Sequence, residues 1–172
     1  MVPAATTVGG YLQSLPNDRR VAMARVCSMI RRSARGVRES MRFGLAFYEL
    51  DGPLFAVESQ DKALTLYVAE KNVIEEFKDT YDVINPARCA IEFTDLNCLP
   101  LEIVEKVVRA ALLARRARKG EGIPSQAELL QLWGLSEEDA AVAPPIVRIV
   151  LNREDEESQP EAPSSAPAAA AQ

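Results

Sequence analysis

Residues 42–68 read RFGLAFYELDGPLFAVESQDKALTLYV, and this stretch decides the fold. Apolar and polar residues alternate with a period of two from Arg38 onward, which is typical of strands. Asp51-Gly52 lies between two apolar, aromatic-rich runs and predicts a two-residue hairpin turn of the mirror-image type. Pro53 begins the returning strand, where a missing N–H does little harm, and residues 63–68 predict a further strand. Strands joined by such short links pair as an antiparallel meander.

Helical periodicity flanks these strands on both sides. Apolar residues recur at spacings of three and four over residues 18–35, and a shorter helix is predicted over 8–14. A helix over 70–81 and a strand over 89–93 follow the meander. The last long helix opens at Pro100 and ends at Gly120. This order predicts an α+β fold in which helices pack on an antiparallel sheet of about four or five strands.

Composition divides the chain into four segments. These are a flexible stretch (1–6), an α+β domain (7–119), a short helical extension (120–152) and an acidic, proline- and alanine-rich tail (153–172). The tail has no apolar side chain larger than alanine, so it is expected to be disordered. In the extension, Ser125 and Glu128 have the spacing of a capping box ahead of leucines and Trp133. So short a helix needs a surface to pack on, either its own domain, which we favour, or a partner or second copy.

The overall composition is that of an ordinary globular protein. Of the 172 residues, 48% are hydrophobic and 26% are charged. No apolar stretch is long enough for a membrane span and no secretory leader pattern is present, which predicts a cytoplasmic protein without membrane contact. Three cysteines at irregular spacing indicate free thiols rather than a disulfide framework or a zinc site. Histidine is absent, so the commonest general base and transition-metal ligand is missing.

Charge is distributed unevenly along the chain. Residues 1–50 carry eight arginines against three acids, whereas residues 51–108 carry twelve acids against five bases. Basic residues then crowd the end of the last long helix. Such runs are usually solvated faces, and because no aromatic residues are interleaved with the arginines, nucleic-acid binding is not predicted.

Carboxylates cluster in and around the predicted helix 70–81. Their oxygens are hard ligands that suit a cation such as ferrous iron, calcium or magnesium. Lys71 and Lys78 are interspersed among them, and pairing at helical spacing makes a solvated face the competing interpretation. The candidate metal ligands are Glu70, Glu75, Glu76, Asp79 and Asp82.

No pattern in the sequence indicates an enzyme. The glycine pairs lack the spacing of a phosphate-binding loop, and no nucleophile elbow is present. We therefore assign no catalytic residue and no cofactor-binding residue.

Four stretches of the chain resemble the YdhG-like family of small bacterial domains, most of which have no assigned function. They are TVGGYLQSLPNDRR, RFGLAFYELDGPLFAVESQDKALTLYV, CAIEF and LNCLPLEIVEKVV, and the resemblance covers about residues 7–116. Some members are described as frataxin-like iron chaperones. The resemblance thus implies an iron-binding protein that delivers ferrous iron to proteins of iron–sulfur or haem assembly.

The chain departs from the family pattern at three places. Phe43-Gly44-Leu45-Ala46 replaces a usual Trp-Gly-Met-Pro segment, and Glu92 replaces a common arginine. The first long helix is arginine-rich where that of frataxins is acidic, which leaves 70–82 as the better candidate for a metal. The alternative function is a non-enzymatic protein-interaction module without metal, and the oligomeric state stays open.

Overall fold

The computed structural model describes residues 5–135 and contains five α-helices and one six-stranded antiparallel sheet in that part of the chain. The helices are α1 (Val8–Ser14), α2 (Asn17–Ser33), α3 (Lys71–Phe77), α4 (Leu101–Arg118) and α5 (Gln126–Leu132). The strands are β1 (Arg38–Arg42), β2 (Leu45–Glu49), β3 (Pro53–Ser59), β4 (Leu64–Val68), β5 (Ile84–Asn85) and β6 (Ala90–Phe93), in the sheet order β1-β2-β3-β4-β6-β5. The α+β class and the antiparallel meander are confirmed.

The number of strands differs from the predicted four or five. Phe43 and Gly44 both have positive φ, 53° and 71°, and form a two-residue turn that separates β1 from β2, with Arg42 opposite Leu45. Phenylalanine rarely adopts a positive φ, so the sequence contains no turn signal here, and its apolar–polar alternation predicts one continuous strand where the structure has two. The other added strand, β5, has only two residues and pairs with β6.

The hairpin at Asp51-Gly52 is present, but its loop is longer than predicted. Gly52 has a φ of +121°, as expected for a turn glycine. Glu49 pairs with Pro53, so three residues form the loop instead of two. The register shifts between Tyr48 and Glu49, so that Glu49 takes the place of Leu50 opposite Pro53 and Leu50 becomes the third residue of the loop. A two-residue turn with positive φ at both positions is instead formed at Phe43-Gly44.

The two faces of the sheet carry different layers. Arg19 of α2 donates from Nε to Ser59 Oγ at 3.0 Å, which places α2 on the face of β3 that holds Ser59. The helices α2 and α4 also pack on each other. Because side chains alternate across a strand, Ala56 and its paired neighbours Phe47 and Tyr67 point to the opposite face. That second face is covered by α5 and Trp133.

The extension is integrated with the domain as far as the structure describes it. The predicted capping box is formed, since Ser125 Oγ accepts from Glu128 N and Glu128 Oε2 accepts from Ser125 N. No helix within residues 5–135 is long and apolar enough to cross a membrane. The expectations for residues 1–4, 136–152 and the tail 153–172 lie outside the described residues.

Candidate functional site

Glu70, the first of the candidate metal ligands, forms ion pairs with two arginines. Its Oε1 accepts from Arg115 Nε at 2.8 Å and its Oε2 accepts from Arg118 Nε at 2.9 Å. The Glu70 side chain is 1% exposed and that of Arg115 is 0% exposed. Glu70 therefore belongs to a buried ion pair and does not lie on a solvated acidic face.

The other four candidates are all exposed, two of them on α3 and two in the residues that follow it. Glu75 accepts from Lys78 Nζ at 2.8 Å, and this ion pair lowers the pKa of the Glu75 carboxyl. Glu76, Asp79 and Asp82 are exposed. Across residues 5–135, no three acidic, cysteine or histidine side chains come together in a group suited to a metal ion. The iron site stays a prediction of the family resemblance.

Arg115 connects α4 to the β2–β3 loop. Besides its bond to Glu70, it donates through Nη1 to the carbonyls of Leu50 and Gly52 at 2.9 and 3.1 Å, and through Nη2 to the carbonyl of Pro53 at 2.8 Å. These bonds satisfy the buried guanidinium and fix the loop. The Arg115–Glu70 pair is structural, because every polar atom of these two side chains already has a partner.

Trp133 fastens α5 to the second face of the sheet. Its side chain is fully buried, contacts Phe47 and Tyr67, and donates from Nε1 to the carbonyl of Val68 at 3.2 Å. Arg88 donates from Nε to the Trp133 carbonyl at 3.1 Å and from Nη2 to Tyr67 OH at 2.7 Å. The expectation that the Trp133 helix packs on its own domain is confirmed.

The interior thiol and hydroxyl groups are held in their neutral forms. Burial raises the pKa of the Cys27 thiol to about 11. Burial, together with the neighbouring Cys27, also raises the pKa of Tyr48. Burial and a hydrogen bond to Glu58 raise the pKa of Tyr67. None of these groups has the lowered pKa that would activate a nucleophile at neutral pH.

The outer side of α2 and α4 carries a different arrangement, which we call the arginine face. It comprises Arg25, Arg32, Arg35, Arg109 and Arg116, all exposed. Arg25 and Arg32 are two helical turns apart, as are Arg109 and Arg116, so each pair projects from one side of its helix. Arg116 Nη2 donates to the Arg35 carbonyl at 3.0 Å, which joins the ends of the two helices.

Within residues 5–135, four of these five arginines form no ion pair. Arg109 alone does so, with Glu105 one turn before it. Elsewhere in the described region, arginines such as Arg19, Arg31 and Arg38 each have an acidic partner. The positive charge of the arginine face is thus only partly compensated in that region, with Arg25, Arg32, Arg35 and Arg116 lacking an acidic partner there.

Two apolar side chains lie beside these arginines. Val21 is 50% exposed and one turn before Arg25, and Leu113 is 66% exposed and one turn after Arg109. They are the only large hydrophobic residues exposed among residues 5–135. Arginine is enriched at protein-binding surfaces, and the two apolar residues add contact area on the same two helices.

Part of this arrangement was readable from the sequence and part was not. The excess of arginine in residues 1–50 and in 109–119 was visible, but the pairing of α2 with α4 that joins the two groups was not. The burial of Arg115 could have been predicted from the sequence, because Arg115 continues the apolar stripe of Val104, Val108 and Ala111 at helical spacing.

No protein-family model, no curated protein and no solved structure matches this chain.

Proposed function

We propose that the chain is a non-enzymatic protein-interaction module whose arginine face binds an acidic, partly apolar segment of a partner protein. The observation that carries this proposal is the coincidence of two features on one surface. Four exposed arginines without an acidic partner in residues 5–135 lie on or next to α2 and α4, the helices that also carry Val21 and Leu113, the two exposed large hydrophobic residues of that region.

Helix stability accounts for only some of these arginines. Cations near a helix C-terminus interact favourably with the macrodipole, which explains Arg32 and Arg116 in the last turns of α2 and α4. Arg25 lies in the middle of α2, where this effect has faded, whereas Arg109 also stabilises its own helix through the ion pair with Glu105. Their guanidinium groups match carboxylates in bidentate geometry, and arginine is enriched among the residues that contribute most to binding.

The chemistry of the face favours a protein partner over nucleic acid. Neither α2 nor α4 contains an aromatic residue on which a base could stack. Leu113 and Val21 offer apolar contacts that a phosphate backbone does not use. The raised pKa values of the interior thiol and hydroxyl groups give no support to an enzymatic role.

Fluorescence anisotropy tests this proposal with a labelled ten-residue peptide of eight glutamates and two leucines. Arg25→Gln together with Arg32→Gln should weaken binding about fivefold or more, because two charge-assisted contacts are lost. The matched control is Lys62→Gln with Lys71→Gln, which changes the net charge equally at exposed positions outside α2 and α4. Equal weakening in both variants would mean that only net charge attracts the peptide.

Two further measurements define the partner class. Leu113→Ser alters no charge and should also weaken binding, since the apolar contact is removed. A labelled single-stranded 20-mer DNA should bind more weakly than the peptide at 150 mM NaCl. Tighter binding of the DNA would replace the protein partner by a nucleic acid.

A further inference from the structure

The chain itself contains a segment that is complementary to the arginine face. Residues 154–161 read EDEESQPE and hold five acidic residues and no basic one. The four arginines Arg25, Arg32, Arg35 and Arg116 have no acidic partner within residues 5–135. The positive surface and the densest acidic run therefore lie in one polypeptide.

When fully extended, the connection between the two is long enough for them to meet. Residues 136–153 separate the segment from Leu135, the last residue that the structure describes. An extended chain of this length spans at most about 60 Å. A compact domain of about 135 residues has a radius of gyration of about 14 Å, so the segment can pass the edge of the sheet and reach the outer side of α2 and α4.

We infer that residues 154–161 occupy the arginine face in the free chain and are displaced when the partner binds. This inference rests on the proposed function, since both ligands use the same surface. The segment has no apolar side chain that could cover Val21 or Leu113, so it is held by charge alone. A partner that provides apolar contacts as well as carboxylates therefore binds the arginine face more tightly than the segment does. The segment acts as a weak internal competitor, which lowers the apparent affinity of ligands that are only acidic.

The first test measures peptide affinity in full-length chains of equal net charge. The tail variant neutralises four acids by Glu154→Gln, Asp155→Asn, Glu156→Gln and Glu157→Gln. The control neutralises four acids around α3 by Glu75→Gln, Glu76→Gln, Asp79→Asn and Asp82→Asn. We expect the tail variant to bind the glutamate–leucine peptide about threefold or more tightly than the control, because a tethered segment competes at an effective concentration in the millimolar range. Equal affinities would overturn the inference.

The second test detects the segment on the face without any peptide. A nitroxide is attached at Ser158→Cys in a Cys98→Ser chain, where the two remaining native thiols are buried. Amide signals of Arg25, Arg32 and Arg116 should be broadened more than those of α3, and 0.5 M NaCl should abolish the difference. Uniform broadening would refute docking.

The two tests separate the inference from the proposed function. Selective broadening without peptide binding would retain the internal contact and reject the partner. Peptide binding without selective broadening would reject the internal contact and retain the partner. A control mixes isotope-labelled chains that carry no nitroxide with unlabelled chains that carry it. Broadening in this mixture would show that the segment contacts a second copy of the chain, and would contradict the inference.

Discussion

Arg115 and Glu70 form an ion pair that is closed to solvent, with Arg115 Nε 2.8 Å from Glu70 Oε1 and the two side chains 0% and 1% exposed. The pair joins the start of α3 to the last turn of α4, and the remaining donors of Arg115 hold the β2–β3 loop. Breaking a buried pair is costly because the remaining charge stays uncompensated.

Glu70→Gln should therefore lower the free energy of unfolding by about 3 kcal/mol or more. Chemical denaturation followed by circular dichroism measures the change. Glu75→Gln is the matched control, because Glu75 forms an exposed ion pair with Lys78, and its midpoint should not move measurably. If the two variants had equal midpoints, the buried pair would have no special role in stability.

Gly52 is expected to resist replacement. Its φ of +121° is a conformation that other residues rarely adopt, and an added Cβ would lie 3.0 Å from Ile123 Cγ2. Gly52→Ala should cost about 1 kcal/mol or more in denaturant unfolding. The matched change Gly9→Ala lies in α1 with no atom within 4 Å of the new Cβ, so it should be neutral or stabilising. A harmless Gly52→Ala would show that the loop can rearrange.

Local chemistry made much of the fold readable from the sequence. Helix α1 begins and ends at the predicted residues, and the Ser125–Glu128 capping box was visible because its two bonds join residues three positions apart. The turn that separates β1 from β2 was not readable, because Phe43 adopts a left-handed conformation that its residue type disfavours.

The parts of the candidate sites that the sequence did not predict depend on contacts between residues far apart in the chain. Glu70 and Arg115 are 45 residues apart, and nothing local tells that these two charges meet inside the protein. A carboxylate in an acidic stretch is usually predicted to face solvent, and for this reason Glu70 was included among the candidate metal ligands. The arginine face likewise depends on the packing of α2 against α4 and not on either segment alone.

The three thiols should differ sharply in reactivity. Cys98 is exposed, whereas Cys27 and Cys89 are buried. The pKa of Cys27 is raised to about 11 by burial, so at pH 8 only about one molecule in a thousand carries the reactive thiolate there. A colorimetric disulfide reagent should titrate one thiol in the folded protein and three in denaturant. Rapid reaction of two or three thiols without denaturant would contradict the buried positions.

The hypothesis of an iron carrier makes its own prediction. Ferrous iron, titrated anaerobically, should bind weakly and lose affinity when Glu75, Glu76 and Asp79 are changed together to Gln, Gln and Asn, because carboxylates are the hard ligands that α3 and the residues after it offer. The charge-matched control neutralises Asp51, Asp61 and Glu121, which lie outside α3. A flat titration of the unaltered protein would remove the hypothesis, and equal loss in both variants would move the site away from α3.

Trp133 should report on the packing of α5, because it is the only tryptophan of the chain. Its ring is fully buried between Phe47 and Tyr67, so the emission should be blue-shifted, poorly quenched by iodide and unchanged on dilution. A red-shifted, readily quenched emission in the monomer would mean that α5 leaves the sheet in solution.

Substitution separates the packing of Trp133 from its hydrogen bond. Trp133→Ala should lower the free energy of unfolding by about 3–5 kcal/mol, since it empties the space between α5 and the sheet. Trp133→Phe keeps an aromatic ring there and loses mainly the Nε1 bond to the Val68 carbonyl, so its cost should be clearly smaller. Arg88→Gln should weaken the same attachment, because Arg88 donates to the Trp133 carbonyl and to Tyr67 OH. If Trp133→Ala unfolded at the same denaturant concentration as the parent, α5 would contribute nothing to the stability of the domain, and the second face of the sheet would be the next surface to test for a partner.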